Sequence, residues 1–165
     1  MEHSFRTFTR ADFPLLTRWR RQPHVMKWWG EQSEPELIKE FEKEMADPLV
    51  ERYVVSHEGR DFAFVQVCDA HGIGGGWWPD ATPGTWAIDF LIGEPDLIGK
   101  GLGTALLAQL TKDLLSRPGA HTVIADPEPD NIASIRAAER AGFRQSGLVD
   151  TPGGRAMLMV QTKAS

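Results

Sequence analysis

The chain has 165 residues, enough for one domain with its own core and too few for a second of ordinary size. At 41% hydrophobic and 25% charged residues it has the make-up of a water-soluble globular protein, and no run approaches the roughly 20 apolar residues of a membrane span. A net charge of −5 argues against a nucleic-acid partner and is compatible with a cationic one. The single cysteine, Cys68, excludes an intrachain disulfide. The opening MEHSFRTFTR lacks the basic-then-apolar order of a secretory signal, so the expected compartment is the cytoplasm.

In chain order, alternation over residues 4–9 predicts a first strand, and Leu15, Leu16 and Trp19 give residues 11–21 a helical face that Pro23 is expected to end. HVMKWWGE then reads as a loop carrying Trp28 and Trp29. Ser33 and Glu36 form a capping box ahead of a charged helix over 34–47, with Leu37, Ile38, Phe41 and Met45 inward. Residues 50–57 and 61–69 predict a hairpin about Gly59, followed by a glycine- and tryptophan-rich loop over 71–84.

The apolar run 86–92 reads as a buried strand interrupted by one carboxylate, Asp89. Glycines at 99, 101 and 103 follow, then a helix whose Leu102, Leu106, Leu110 and Leu114 share one face. Residues 122–126 form another buried strand, and a helix capped at Asp130 or a neighbour runs to Ala141. Two strands, 143–149 and 156–162, close the chain around Pro152-Gly153-Gly154. The order β-α-α-β-β-β-α-β-α-β-β predicts a mixed α/β (α+β) layer forming a single domain over 1–165.

Closely spaced glycines between a strand and a helix leave backbone N–H groups free for an anion, where the helix dipole also favours negative charge. The spacing fits neither common nucleotide motif. Gly93 precedes Gly99 by one residue too many for a P-loop, Gly101 stands where Ser or Thr belongs, and Gly99, Gly101 and Gly103 do not make G-x-G-x-x-G. His3, His24, His57, His71 and His121 show no metal-ligand spacing, so no metal is expected. No G-x-S-x-G marks a serine nucleophile, and Cys68 reads as a small buried hydrophobe.

IGKGLGTALL after an apolar strand resembles the acyl-CoA motif of the GNAT superfamily of N-acetyltransferases, with Leu97 where a leading Gln or Arg is usual. DPEPDNIASIRAAERAGF resembles that family's asparagine-containing loop and helix. A narrower resemblance, through HVMKWWGE, GGGWWPD, GTWAIDFLIGEPDLIGKGLGT, DPEPDN and MVQTK, is to the aminoglycoside 6'-N-acetyltransferases. The resemblance implies a central sheet of about seven strands flanked by about four helices, splayed between two central parallel strands. It implies acetyl-CoA as co-substrate, its pyrophosphate on the N–H groups of Gly99, Lys100, Gly101, Leu102, Gly103 and Thr104. The pantetheine arm would meet backbone at Leu91 and Ile92, with Asn131 and Ser134 near its thiol end. Asp89 would orient the acceptor amine and act as base, and Trp28, Gln66 and Asp126 would line the acceptor pocket. The partner is then a small polycationic amine, and the protein a monomer or homodimer.

Bland readings stand beside these roles: an exposed loop lysine for Lys100, an arginine-paired structural acid for Asp89, a turn-forming carboxylate for Asp126. The sequence also departs from the family. Ala138 replaces a tyrosine that is a common candidate to protonate the leaving thiolate, and Gly75 and Gly153 stand where close relatives often carry acids. Acetylation of another small amine, such as a siderophore precursor or polyamine, and a non-catalytic acyl-CoA-binding module are the alternatives.

Overall fold

A computed structural model describes residues 3–164. Seven strands, β1 (Ser4–Thr7), β2 (Val50–His57), β3 (Arg60–Asp69), β4 (Thr85–Ile92), β5 (Thr122–Ala125), β6 (Arg144–Thr151) and β7 (Gly154–Thr162), form one sheet in the order β1-β2-β3-β4-β5-β7-β6. Every neighbouring pair is antiparallel except β4 and β5. Five α-helices occur among the described residues: α1 (Phe13–Arg20), α2 (Pro23–Trp29), α3 (Glu34–Met45), α4 (Leu102–Leu115) and α5 (Ile132–Arg140). Among the described residues no helix is long and apolar enough to cross a membrane.

The fifth helix corrects the sequence reading. Pro23 ends no helix but begins α2, where its missing N–H costs nothing and its fixed φ suits the first turn. Trp28 and Trp29 therefore sit on a helix end rather than in a loop. The last two strands pair as far as Thr151 and Gly154, so both extend further toward their turn than predicted.

Two cores sandwich the sheet. On one face Leu16, Trp19, Leu37 and Phe41 of α1 and α3 pack on Val54, Phe64 and Leu91. On the other, all four leucines of the predicted α4 stripe are buried with Ile135 and Ala138 of α5 against Val55, Val65, Val67 and Ile88. Burying each such Leu, Ile or Phe contributes about 1.5–3 kcal/mol relative to exposure.

The functional feature lies at the one parallel pair. β4 and β5 stay in register only at Thr85–Thr122, Trp86–Val123 and Ala87–Ile124. β5 then stops before Asp126-Pro127, whose proline cannot donate to a ladder, while β4 runs on to Ile92. A wedge-shaped gap opens beside residues 89–92, as the splayed fold requires.

Candidate active site

Strand register builds the floor of the site row by row. On the α1–α3 face, Val54, Phe64 and Leu91 stand opposite one another across β2, β3 and β4, all apolar and all covered. The next row is Arg52, Gln66 and Asp89, all polar. After it comes Val50, Cys68 and Ala87. The helices cover the first row and leave the next two to line a cavity of about 1050 Å³.

That cavity passes through the gap in the sheet. Arg52, Gln66 and Asp89 line it from one face, while Ile88, Phe90, Leu107, Asn131, Ser134 and Ala138 line it from the α4–α5 side. Two reactants entering from opposite sides would meet at Asp89. No arginine pairs with this carboxylate among the described residues, so it is not a structural acid held by a salt bridge. The carboxyl is exposed to the open cavity, and the desolvation it feels comes from the protein mass that surrounds that cavity. Burial, and then the negative charge of Asp126, push its pKa up to about 7, with the Phe90 N–H working against the rise. Asp126 itself is raised to about 6 by burial, although it accepts a 3.1 Å hydrogen bond from the indole Nε1 of Trp78.

The glycine loop suits an anion. Gly99 and Gly101 adopt left-handed φ values of 75° and 78°, which only glycine takes without strain. Gly101 caps α4 and supplies no side-chain acceptor, so the first-turn N–H groups of Leu102, Gly103 and Thr104 remain unpaired within the helix. Open space lies outside Gly99 and Gly101. Lys100 is exposed beside them, and the Leu102 side chain is buried in the core, leaving only its N–H to the loop. Asn131 caps α5, its side chain accepting the Ser134 N–H at 3.2 Å, and both residues line the cavity.

One backbone expectation fails. Alternation in the antiparallel ladder, pinned by Ala70 N–H to Thr85 O and Gly93 N–H to Phe62 O, turns the odd residues of β4 toward β3. Leu91 thus spends its polar backbone on Phe64 and buries its side chain, so it cannot serve a pantetheine arm. Phe90 and Ile92 face the gap instead. The Ile92 carbonyl is already engaged by His24 Nε2 at 2.8 Å, which leaves Phe90 and the Ile92 N–H as the open backbone groups.

Aromatic side chains wall the acceptor side. Trp28 and Trp29 both reach the cavity, but Trp29 also packs on the α1–α3 core and under the Arg20 guanidinium, 5.2 Å from its ring. Trp77 and Trp78 lie 5.5 Å apart in the loop before β4. Trp77 covers Gly153, its ring 3.2 Å from where a Cβ would stand, so an aspartate there would displace the indole. Tyr53 is no substitute for a tyrosine at Ala138. Its hydroxyl donates to Glu51, which is itself held by Arg117, away from the cavity.

Residues 9–151 match the family model of the Acetyltransferase (GNAT) domain. The chain belongs to the GNAT acetyltransferase family. It is 36% identical over 166 residues to the aminoglycoside N(6')-acetyltransferase type 1 of Klebsiella pneumoniae, covering 97% of this chain and 83% of that one. It is 28% identical over 131 residues to the N-hydroxyputrescine acetyltransferase of Acinetobacter baumannii, covering 79% of this chain and 62% of that protein. The crystal structure of the aminoglycoside acetyltransferase AAC(6')-Ib in complex with coenzyme A and kanamycin superposes with a TM-score of 0.91 at 34% identity, covering 98% of this chain and 95% of that one.

In this GNAT domain Ala138 faces the cavity from α5, so no side chain at that position can hand a proton to a leaving thiolate. Sequence reasoning missed the α3 wall. Glu40, Glu44 and Asp47 line the cavity, and with Asp89, Asp126 and Glu128 they outnumber its cations Lys43, Arg52 and Arg155. Negative potential suited to a polycation therefore survives the absence of acids at Gly75 and Gly153. The missed signal was the helical period: Glu40, Glu44 and Asp47 recur at i, i+4 and i+7, on one face of α3 and its C-terminal extension.

Proposed function

We propose that the protein is an acetyl-CoA-dependent N-acetyltransferase acting on the 6'-amine of aminoglycosides. The observation that carries this reading is the single cavity through the β4–β5 gap, with an acid-rich acceptor side and the unpaired Asp89 at the crossing. The near full-length similarity to aminoglycoside acetyltransferases favours it over a polyamine or siderophore-precursor acceptor.

The residues present fit acetyl-CoA. The N–H groups from Gly99 to Thr104 form a ready site for its pyrophosphate, with Lys100 beside them; Phe90 and Ile92 border the gap, and Asn131 and Ser134 its far side. Acetyl-CoA supplies the activated acetyl thioester. Holding it in line with the amine across the gap provides a large share of the rate. Asp89 orients the substrate ammonium and accepts its proton, a task that a carboxyl near 7 performs at neutral pH without holding the proton too weakly. The free amine attacks the thioester carbonyl, the C–N bond forms and the C–S bond breaks, and the departing sulfur takes its proton from water or from the attacking nitrogen. Gln66, next to Asp89 in the same row, and Asp126 complete the pocket around the amine, and Trp28, with the Lys27 ammonium 4.9 Å from its ring, borders it.

Thiol release from acetyl-CoA in the presence of kanamycin, with the product's acetylated nitrogen assigned by NMR, tests the proposal. Turnover of a linear polyamine but of no 6'-amino aminoglycoside would reject it.

A further inference from the structure

The row that carries Asp89 also carries a cation for which acetyl transfer has no use. Arg52 lies opposite Gln66, and Gln66 opposite Asp89, so the three side chains cross the cavity floor in line. Two strand spacings, about 10 Å, separate the first from the third. Arg52 is only 9% exposed. Among the described residues its one hydrogen bond runs from Nη1 to the carbonyl of Val50 at 3.3 Å, and its Nε has no partner. Glu44 and Asp47 are near enough for their charge to act on it, yet neither reaches ion-pair distance.

A guanidinium taken out of water with donors unspent is costly, and a methionine would fill the same space without that cost. Arg52 lines the substrate cavity, and the donors its Nη groups keep beyond the Val50 bond call for an oxygen acceptor. A carboxylate or phosphate is the wrong oxygen here, because six carboxylates line the same walls. A hydroxyl oxygen accepts from Arg52 without meeting that repulsion. Beside it, Glu44 borders the cavity and forms no ion pair among the described residues, which leaves it free for an ammonium group.

We propose that Arg52 is a specificity-determining residue of the acceptor site, its guanidinium donating to a hydroxyl while Glu44 takes a neighbouring ammonium, so that the site reads an amino-alcohol unit two strands away from the amine being acetylated. This rests on the aminoglycoside reading of the cavity and names the part of the acceptor that is recognised away from the reaction. A hydrogen bond to a charged donor is worth roughly tenfold to a hundredfold in affinity.

Kanamycin and its monodeoxy derivatives, each lacking one hydroxyl, are the probes. Arg52→Met should raise the KM for kanamycin at least about tenfold with a much smaller change in kcat. At least one deoxy derivative should bind the native enzyme more weakly than kanamycin does and show no further loss with Arg52→Met. An unchanged KM, or a loss from Arg52→Met that is the same for every derivative, overturns the proposal. Circular dichroism and thermal melting check that the variant folds; should it not, Arg52→Gln, which keeps polarity and loses the charge, enters the same comparison. If native enzyme turns over no kanamycin, the proposed function fails. Calorimetric titration of kanamycin into the CoA-bound native and Arg52 variants then still decides the role of Arg52, equal affinities rejecting it.

Discussion

Replacing Asp126 by asparagine tests whether the two raised carboxyls act as neighbours. Asparagine keeps an oxygen for the Trp78 indole, which donates to Asp126 at 3.1 Å, and removes only the charge. Asp89 titrates at about 7 through burial and through the negative charge of Asp126, which at about 6 ionises first and is in place while Asp89 titrates. With a pKa of about 7, the ionised fraction of Asp89 is roughly one-tenth at about pH 6 and roughly nine-tenths at about pH 8. If ionised Asp89 takes the ammonium proton, kcat/KM climbs about tenfold over that interval. In Asp126→Asn the climb should move to lower pH, because the carboxylate that opposes ionisation is gone. Initial rates of thiol release at saturating acetyl-CoA, with one acceptor for both enzymes, measure the limb, and the acceptor's own titration is then common to both profiles. A limb that stays in place would assign it to the acceptor amine and remove Asp89 from the proton transfer.

Asp89→Asn should lower kcat/KM by about 10²–10⁴-fold while CoA affinity, measured by calorimetry, stays within about twofold. Gly93→Ala would set a Cβ 2.0 Å from Cγ of Trp19, a ring only 1% exposed; overpacking of about 3 kcal/mol should lower Tm by about 6–12 °C, and Trp19→Leu should recover part of that loss in the double variant. The pKa of His3 is lowered by burial and then by His57, so the unfolded chain binds the proton more readily than the folded one. Stability should therefore fall as pH drops below the unfolded value of 6.5, and denaturant midpoints of His3→Leu should show a flatter dependence there.

The most legible parts of the chain were those where one physical demand acts alone. The leucines of α4 repeat at helical spacing because a single stripe faces the core, and Asp89 stands out because a carboxylate in an apolar strand needs a reason. Pro23 was ambiguous, since the same residue stops one helix and starts another, and only packing of Val25 into the core selects the start. Arg52 was hidden by apolar neighbours on both faces of its strand: Val54 and Val55 each look inward, so alternation does not tell which side is the cavity. Leu91 failed for a related reason. Which of two adjacent residues offers its backbone to a gap depends on the pairing register, set by contacts with another strand. Glu40 and Glu44 drew no reading of their own within a charged helix, because only the fold shows that their side faces the sheet's polar row.

Three register pairs at the centre of a seven-stranded sheet also have a mechanical meaning. Strands β1 to β4 and strands β5 to β7 are two ribbons laced together along a short seam. A cofactor arm lying along Phe90 would act as a lacing thread, prolonging a ladder that the chain leaves unfinished. Saturation with CoA should then slow amide exchange on both ribbons, including residues far from the pyrophosphate, because separating them would require pulling the thread as well as the seam.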